Sequence, residues 1–142
     1  MKIKFKKDYI LVVSETLVYC IGFIGGVGKR AKGAALFPFI LVKSDEYVAD
    51  WLINHERIHF RQQIETLFIG FFVLTLIERL YARLVLKKTR FEAYLWGSGE
   101  QEAYINQNNP DYLKTRTFWT QFKYLKNKKA ITLPEPGKVT LG

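Results

Sequence analysis

Residues 53–63 read INHERIHFRQQ and contain both histidines of the 142-residue chain. His55 and His59 are four residues apart, and Glu56 directly follows the first of them. Apolar residues on either side recur at helical spacing, so we predict a helix that carries the two histidines on one face, one turn apart. Such a pair can direct two imidazole nitrogens at one point, which is the arrangement of a metal site on a helix.

These residues form the pattern HExxH, which supplies two metal ligands and one base within a single helical turn. Zn²⁺ suits them, because it takes four tetrahedral ligands and binds imidazole nitrogen at roughly 2.0–2.1 Å. Glu56 lies about 100° further round the helix, where it can take a proton from water without binding the metal. The alternative is a pair of helix-face histidines with solvent or core partners. Shuffling this composition gives the same residue pattern with a probability of roughly a few in a thousand.

A catalytic zinc needs three protein ligands and one open position. No third histidine exists, and Cys20 lies in an apolar run, where we expect a small buried side chain. The third ligand is therefore an acid. One of the downstream acids, Glu78, could instead accept a hydrogen bond from the second ring N–H of a ligating histidine. The downstream acids considered for the metal are Glu65, Glu78, Glu92, Glu100, Glu102 and Asp111.

The segment 97–104, GSGEQEAY, favours Glu100 or Glu102, because two glycines precede an acidic helix start. Together with HERIH it resembles the gluzincin pattern, in which a glutamate from a second helix joins the two histidines on zinc. In several gluzincin peptidase families this glutamate is followed by Ala at the third position and Asp at the fourth. Ala103 fits if Glu100 is the ligand, with Glu102 as the alternative, whereas Tyr104 stands where the Asp would be.

The wider resemblance is to small bacterial proteins identified as zinc metallopeptidases. It runs from PFILVK through NHERIHFRQQ and EQEAY to DYLKTRTFWTQFKYLK. It implies hydrolysis of a peptide or protein substrate, with Glu56 as general base. A tyrosine or a cation near the zinc can stabilise the oxyanion, and the candidates are Tyr104, Tyr112 and Arg116. We interpret Arg57, Arg61, Gln62 and Gln63 as helix-surface residues.

We predict one mostly helical α+β domain over residues 1–125, zincin-like in that the metal helix packs behind a small N-terminal sheet. Residues 126–142 are predicted to be a loosely ordered tail. The best strand covers 34–43, and Pro38 inside it lacks an N–H, so we place it at a sheet edge. Such an edge could bind a peptide substrate by strand addition. Asn109 and Pro110 are predicted to start the last helix.

The formal charge is +9, which favours anionic partners. Nucleic acid is not favoured, because no recognised nucleic-acid-binding motif is present. The apolar segment 67–77 is shorter than the ~20 residues that cross a bilayer. We predict a buried core helix there, with contact to a membrane surface through basic flanks as the alternative. The basic flanks are Arg79, Arg83, Lys87, Lys88 and Arg90.

Residues 14–16, Ser-Glu-Thr, interrupt the N-terminal apolar run, so a cytoplasmic or peripherally membrane-associated location is favoured over secretion. The alternative to a peptidase is a non-catalytic, zinc-stabilised module associated with a membrane surface. That alternative expects protein ligands at all four metal positions.

Overall fold

The computed structural model describes residues 1–133, 140 and 141, and its architecture is α+β, as predicted. A mixed four-stranded sheet has the order β1-β2-β4-β3. Only the central pair, β2 and β4, is parallel, and the outer pairs are antiparallel. The strands are β1 (Lys2–Phe5), β2 (Ile10–Val13), β3 (Gly33–Leu36) and β4 (Phe39–Val42).

Helices make up most of the rest of the described chain. They are α1 (Glu15–Ile24), α2 (Asp50–Glu65), α3 (Ile69–Leu84), α4 (Arg90–Trp96), α5 (Ser98–Asn106) and α6 (Tyr112–Thr115). Short 3₁₀ helices cover Gly28–Arg30, Asp45–Tyr47 and Thr120–Leu125. A second, two-stranded sheet pairs β5 (Ile131–Thr132) with β6 (Thr140–Leu141).

The central strands β2 and β4 are buried on both faces, as their continuous apolar sequences require. One face, with Leu11 and Ile40, packs against Leu52 and Phe60 of α2. The opposite face, with Val12 and Leu41, packs against Val18 of α1. Helix α2 therefore lies behind the sheet, in the place predicted for the metal helix.

The predicted single edge strand over 34–43 is instead a hairpin. Pro38 lies in the turn between β3 and β4, with a cis peptide bond after Phe37. The side chain of Gln63 holds this turn, because its oxygen accepts from the Phe37 N–H (2.9 Å) and its nitrogen donates to the Ala35 carbonyl (2.9 Å). Of these two strands, β3 lies at an edge of the sheet and β4 is internal.

Helix α2 begins at Asp50, after a 3₁₀ turn, and ends at Glu65. Leu67 (φ 53°) and Phe68 (φ 62°) then adopt backbone conformations with positive φ and redirect the chain into α3.

The prediction of a buried core helix over 67–77 is wrong. The buried residues of α3 are Phe71, Glu78 and Ala82. Most of its large apolar side chains face solvent, because they lie on the opposite side of the helix. Cys20 in α1 is exposed too, contrary to expectation. Within the described ranges, no helix combines the length and apolarity needed to span a membrane.

The predicted final helix is interrupted. Helix α6 ends at Thr115, and Trp119 adopts a left-handed conformation (φ 58°) before the 3₁₀ helix Thr120–Leu125. The predicted tail 126–142 includes positions outside the described residues, 134–139 and 142. Within its described part, the Lys129 N–H donates to the Gln101 side chain (2.8 Å).

Candidate metal centre

His55 and His59 are buried on the face of α2 that is turned away from the sheet and toward α5. They are 4% and 6% exposed, so neither imidazole is an ordinary surface group. Their Nε2 atoms are 3.2 Å apart, as expected for i and i+4 side chains directed at a common point. The helix spacing predicted from the sequence therefore gives a converging pair of nitrogens.

Helix α5 brings Glu100 to this pair. The carboxylate lies 3.4 Å (Oε2) from His55 Nε2 and 3.5 Å (Oε1) from His59 Nε2. The close approach of α5 to α2 depends on Gly99, where a Cβ would lie 3.0 Å from Gln62 Oε1 and 3.3 Å from the Phe71 ring. A larger residue there would push Glu100 away from the histidines.

The two Nε2 atoms are 3.2 Å apart, and each lies 3.4 or 3.5 Å from one of the two Glu100 oxygens, close to the spacing of donor atoms around a tetrahedral ion. At ligand distances of roughly 2.0–2.1 Å, tetrahedral geometry places neighbouring donor atoms about 3.3 Å apart. In addition, Glu100 Oε2 is buried without a hydrogen-bond partner, which is costly for a carboxylate. Two imidazoles and one carboxylate thus fit a zinc ion in both spacing and chemistry.

The electrostatics of the group favour a cation among the three donors. Burial disfavours a charge on His59, but the Glu100 carboxylate outweighs burial and raises the imidazole pKa to about 9. Burial likewise disfavours ionisation of Glu100, but His59 and His55 hold its pKa well below the usual range. The carboxylate is therefore ionised at neutral pH and available as a ligand.

Two glutamines fix the orientation of the imidazoles. Gln107 Oε1 lies 2.9 Å from His55 Nδ1, and Gln62 Oε1 lies 2.7 Å from His59 Nδ1. The Gln62 nitrogen donates to the Gly99 carbonyl (3.1 Å) and to Glu102 (2.9 Å), which leaves its oxygen to accept from His59. His59 thus donates from Nδ1, which leaves Nε2 directed into the site.

Glu78, the sequence candidate for this orienting role, does not contact either histidine. It accepts hydrogen bonds from the Ser98 N–H (3.0 Å) and hydroxyl (2.7 Å), and Lys128 pairs with it at 2.7 Å. Glu78 therefore caps the start of α5, the helix that carries Glu100.

Glu102, the alternative third ligand, points away from the histidines into a buried ion cluster. Arg116 pairs with Glu102 and with Glu65, and all three side chains are 4% exposed or less. The Tyr112 hydroxyl also donates to Glu102 (2.9 Å). Glu102 in turn accepts from Gln62, so it acts on the site through that glutamine and His59.

This cluster removes two of the three oxyanion candidates. Tyr112 and Arg116 are bound to Glu102, and neither lines the cavity at the histidines. Tyr104 does line it, and its ring packs edge-on against the His55 ring, 4.5 Å between centroids. Its hydroxyl bonds that of Tyr94 (3.1 Å), and burial raises the Tyr104 pKa, so the hydroxyl stays protonated.

Glu56 is 4% exposed and lies beside the three donors without belonging to their group. Burial raises its pKa, an effect that both imidazoles oppose. Gly33 on β3 leaves the space its carboxylate occupies, because a Cβ there would lie 2.8 Å from Glu56 Oε1. This is a position suited to a proton acceptor next to the metal site.

The candidate ligands open onto a cavity of about 910 Å³. Its walls come from α1, β3, α3, α4 and α5, and residues 131–133 border it as well. The volume is that of a ligand-binding cleft, and both Glu56 and Glu100 line it.

The sequence pattern did not indicate that glutamines orient the two imidazoles. Gln62 and Gln63, interpreted as surface residues, are fully buried. For Gln62 a signal existed, because it follows His59 by three positions and so shares its helix face. For Gln107 there was none, since only the fold brings it to His55.

Comparisons with known proteins identify no relative. No family model matches the chain, no curated protein matches it, and no solved structure matches it. The basis for a functional proposal is therefore the geometry of His55, His59, Glu100 and Glu56.

Proposed function

We propose that the chain is a zinc-dependent peptidase of gluzincin type, with a zincin-like arrangement of its metal helix. In this proposal His55, His59 and Glu100 hold the metal, and Glu56 is the general base. The observation that carries it is the convergence, in a buried site, of two imidazole nitrogens 3.2 Å apart and one carboxylate, whose two oxygens lie 3.4 and 3.5 Å from them. Zinc bound there would polarise a peptide carbonyl and lower the pKa of water.

The surroundings of Glu56 support its assigned role. A base for water must lie close to the metal ligands and be free of a competing ion pair. Glu56 is adjacent to His55, has no Lys or Arg salt-bridge partner among the described residues, and has its pKa raised by burial. A raised pKa makes the carboxylate a stronger proton acceptor, and the same group can return the proton to the leaving amine.

The edge strand β3 borders the same cavity and suits an extended polypeptide. Gly33, Ala34 and Ala35 line the cavity beside Glu56, and they have small or no side chains. Gln63 already binds the Ala35 carbonyl, so strand addition is confined to the Gly33 end of β3. A peptide bond held there would lie next to the candidate base.

The non-catalytic alternative expects a fourth protein ligand. In the part of the chain that the structure describes, no fourth imidazole, thiolate or carboxylate joins the three donors. Three donors facing a cavity of about 910 Å³ favour a catalytic site over a structural one.

The proposal is tested by assaying hydrolysis of a peptide library with the wild type and Glu56→Gln after equal zinc loading. We expect the variant to bind zinc and to lose hydrolysis by at least about 10²-fold, because the amide cannot accept the proton. Arg61→Gln, an exposed change on the same helix, is the matched control and should keep full activity. Equal activity in Glu56→Gln, or no hydrolysis by the zinc-loaded wild type, would overturn the proposal.

A further inference from the structure

Helix α3 directs its large apolar side chains away from the protein. Its protein-facing side is narrow and includes a glutamate, with Phe71, Glu78 and Ala82 buried. The outward side is wide and apolar, whereas a helix on the surface of a water-soluble domain normally shows the reverse. The exposed residues are Ile69, Phe72, Val73, Leu76, Ile77, Leu80 and Leu84. A contiguous surface of this kind marks a site of interaction.

Helix α1 extends the same surface. Arg79 of α3 donates to the Gly25 carbonyl, and Arg90 donates to the Phe23 carbonyl (3.3 Å), so both arginines contact the C-terminal end of α1. At that end Phe23 is 59% exposed and Ile24 is 83% exposed. The two helices therefore present one apolar surface.

This surface surrounds part of the opening of the metal-site cavity. Four large apolar side chains both line the cavity and are exposed: Ile21, Ile24, Phe72 and Leu76. We call these four residues the apolar rim. Whatever covers the apolar surface thus also lies against the entrance to the candidate active site.

The charge around the apolar surface is strongly positive. Segments 15–33 and 67–91 contain eight Lys or Arg and two Glu. Both acids are paired, Glu15 with Lys43 (3.4 Å) and Glu78 with Lys128 (2.7 Å). The cations include Arg30, Arg83, Lys87 and Arg90, all exposed. Long basic side chains beside an apolar surface match the anionic headgroups and acyl chains of a bilayer.

We propose that α1 and α3 dock the protein on an anionic membrane surface, with the cavity opening at the lipid–water boundary. A second copy of the chain fits less well, because a symmetric contact would bring two sets of positively charged side chains together. The preferred substrates are then polypeptide segments that lie at that boundary, a statement that rests on the proposed peptidase function.

Docking is tested by co-sedimentation of the full chain carrying Glu56→Gln, which keeps hydrolysis out of the readout. The probes are phosphatidylcholine vesicles with and without phosphatidylglycerol. We expect binding to the anionic vesicles that weakens as salt is added. Ile24→Glu/Leu76→Glu on the apolar rim should weaken it about tenfold or more. Ile3→Glu/Phe5→Glu on β1, at the other edge of the sheet, makes the same charge change at exposed positions and should retain binding.

Three results would overturn docking: no binding to anionic vesicles, equal losses in both double variants, or self-association of the chain without vesicle binding. If the rim variant does not fold, Arg83→Gln/Lys87→Gln replaces it, and unchanged vesicle binding in that variant would overturn docking. Peptidase and docking failures are separable. Hydrolysis without vesicle binding contradicts docking alone, and vesicle binding without any hydrolysis contradicts the peptidase alone. If the chain both hydrolyses peptides and binds anionic vesicles, it should cleave an acyl-anchored peptide on vesicles faster than the soluble form of the same peptide.

Discussion

Gln62 fixes the orientation of His59 in the candidate metal centre. Its oxygen accepts from His59 Nδ1 at 2.7 Å, and its nitrogen is held by Gly99 and Glu102. Because the Gln62 amide cannot rotate by 180° without losing these bonds, Nε2 of His59 stays directed at Glu100 and His55. A buried amide that the sequence pattern placed on the helix surface is thus part of the candidate metal centre.

Gln62→Leu should lower zinc affinity about 10- to 100-fold, because His59 loses the acceptor that sets its tautomer and ring orientation. Zinc affinity is measured by competition with a chromophoric chelator. Gln101→Leu is the matched control, since Gln101 is equally buried but bonds Leu95 and Lys129 instead of a histidine. Equal zinc affinity in Gln62→Leu and the wild type would show that Gln62 does not orient the ligand.

Among the site residues, the sequence predicted best those whose relative positions depend on a single helix. His55, Glu56 and His59 lie within one helical turn, so their relative positions follow from helix spacing alone. The choice of Glu100 over Glu102 came from a resemblance, because two acids separated by one residue are equally available until α5 is placed. The structure places Glu100 at the histidines and Glu102 at Arg116.

Between elements, the contact of α2 with α5 is stabilised by a buried ion cluster. Arg116 joins Glu65, at the end of α2, to Glu102 on α5, with bonds of 3.1 Å and 3.3 Å from its Nη2. Trp119 adds to this link, because its backbone N–H also donates to Glu65 (3.0 Å). The Trp119 contact accounts for the break in the predicted C-terminal helix, because in a continuous helix this N–H would donate to the backbone carbonyl four residues earlier instead of to Glu65.

Arg116→Met should reduce the free energy of unfolding by about 3–5 kcal/mol, because it leaves two carboxylates buried without a cation. The measurement is urea denaturation followed by circular dichroism. Arg61→Met removes an exposed arginine from α2 and should change stability by no more than about 0.5 kcal/mol. A loss in Arg116→Met as small as in this control would mean that the cluster contributes little.

Element types were easier to predict than their boundaries and orientations. The apolar composition of β4 indicated a strand, but Pro38 lies in a turn between two strands where we predicted one edge strand. For α3, hydrophobicity predicted burial, and the helix is real, yet its apolar side faces outward. A hydrophobic pattern shows which face of a helix is stabilised by a nonpolar environment. It does not show whether the protein core or another surface provides that environment.

As a whole, the molecule combines a candidate metal centre with a basic, partly apolar exterior. The formal charge of +9 indicated anionic partners but no location. The fold supplies the location, because α1 and α3 bring exposed apolar residues to the opening of the cavity. Neither helix alone would predict that surface, since it depends on contacts more than fifty residues apart in sequence.

The central claim is that His55, His59 and Glu100 bind zinc, and X-ray absorption spectroscopy at the zinc edge tests it most directly. The protein carries one equivalent of zinc, and Glu100→Gln is compared with the wild type. We expect two imidazoles and oxygen ligands, with nitrogen at roughly 2.0–2.1 Å and no sulfur, and weaker zinc retention in the variant. Failure of the wild type to retain zinc, or a zinc shell without two imidazoles, would contradict the account.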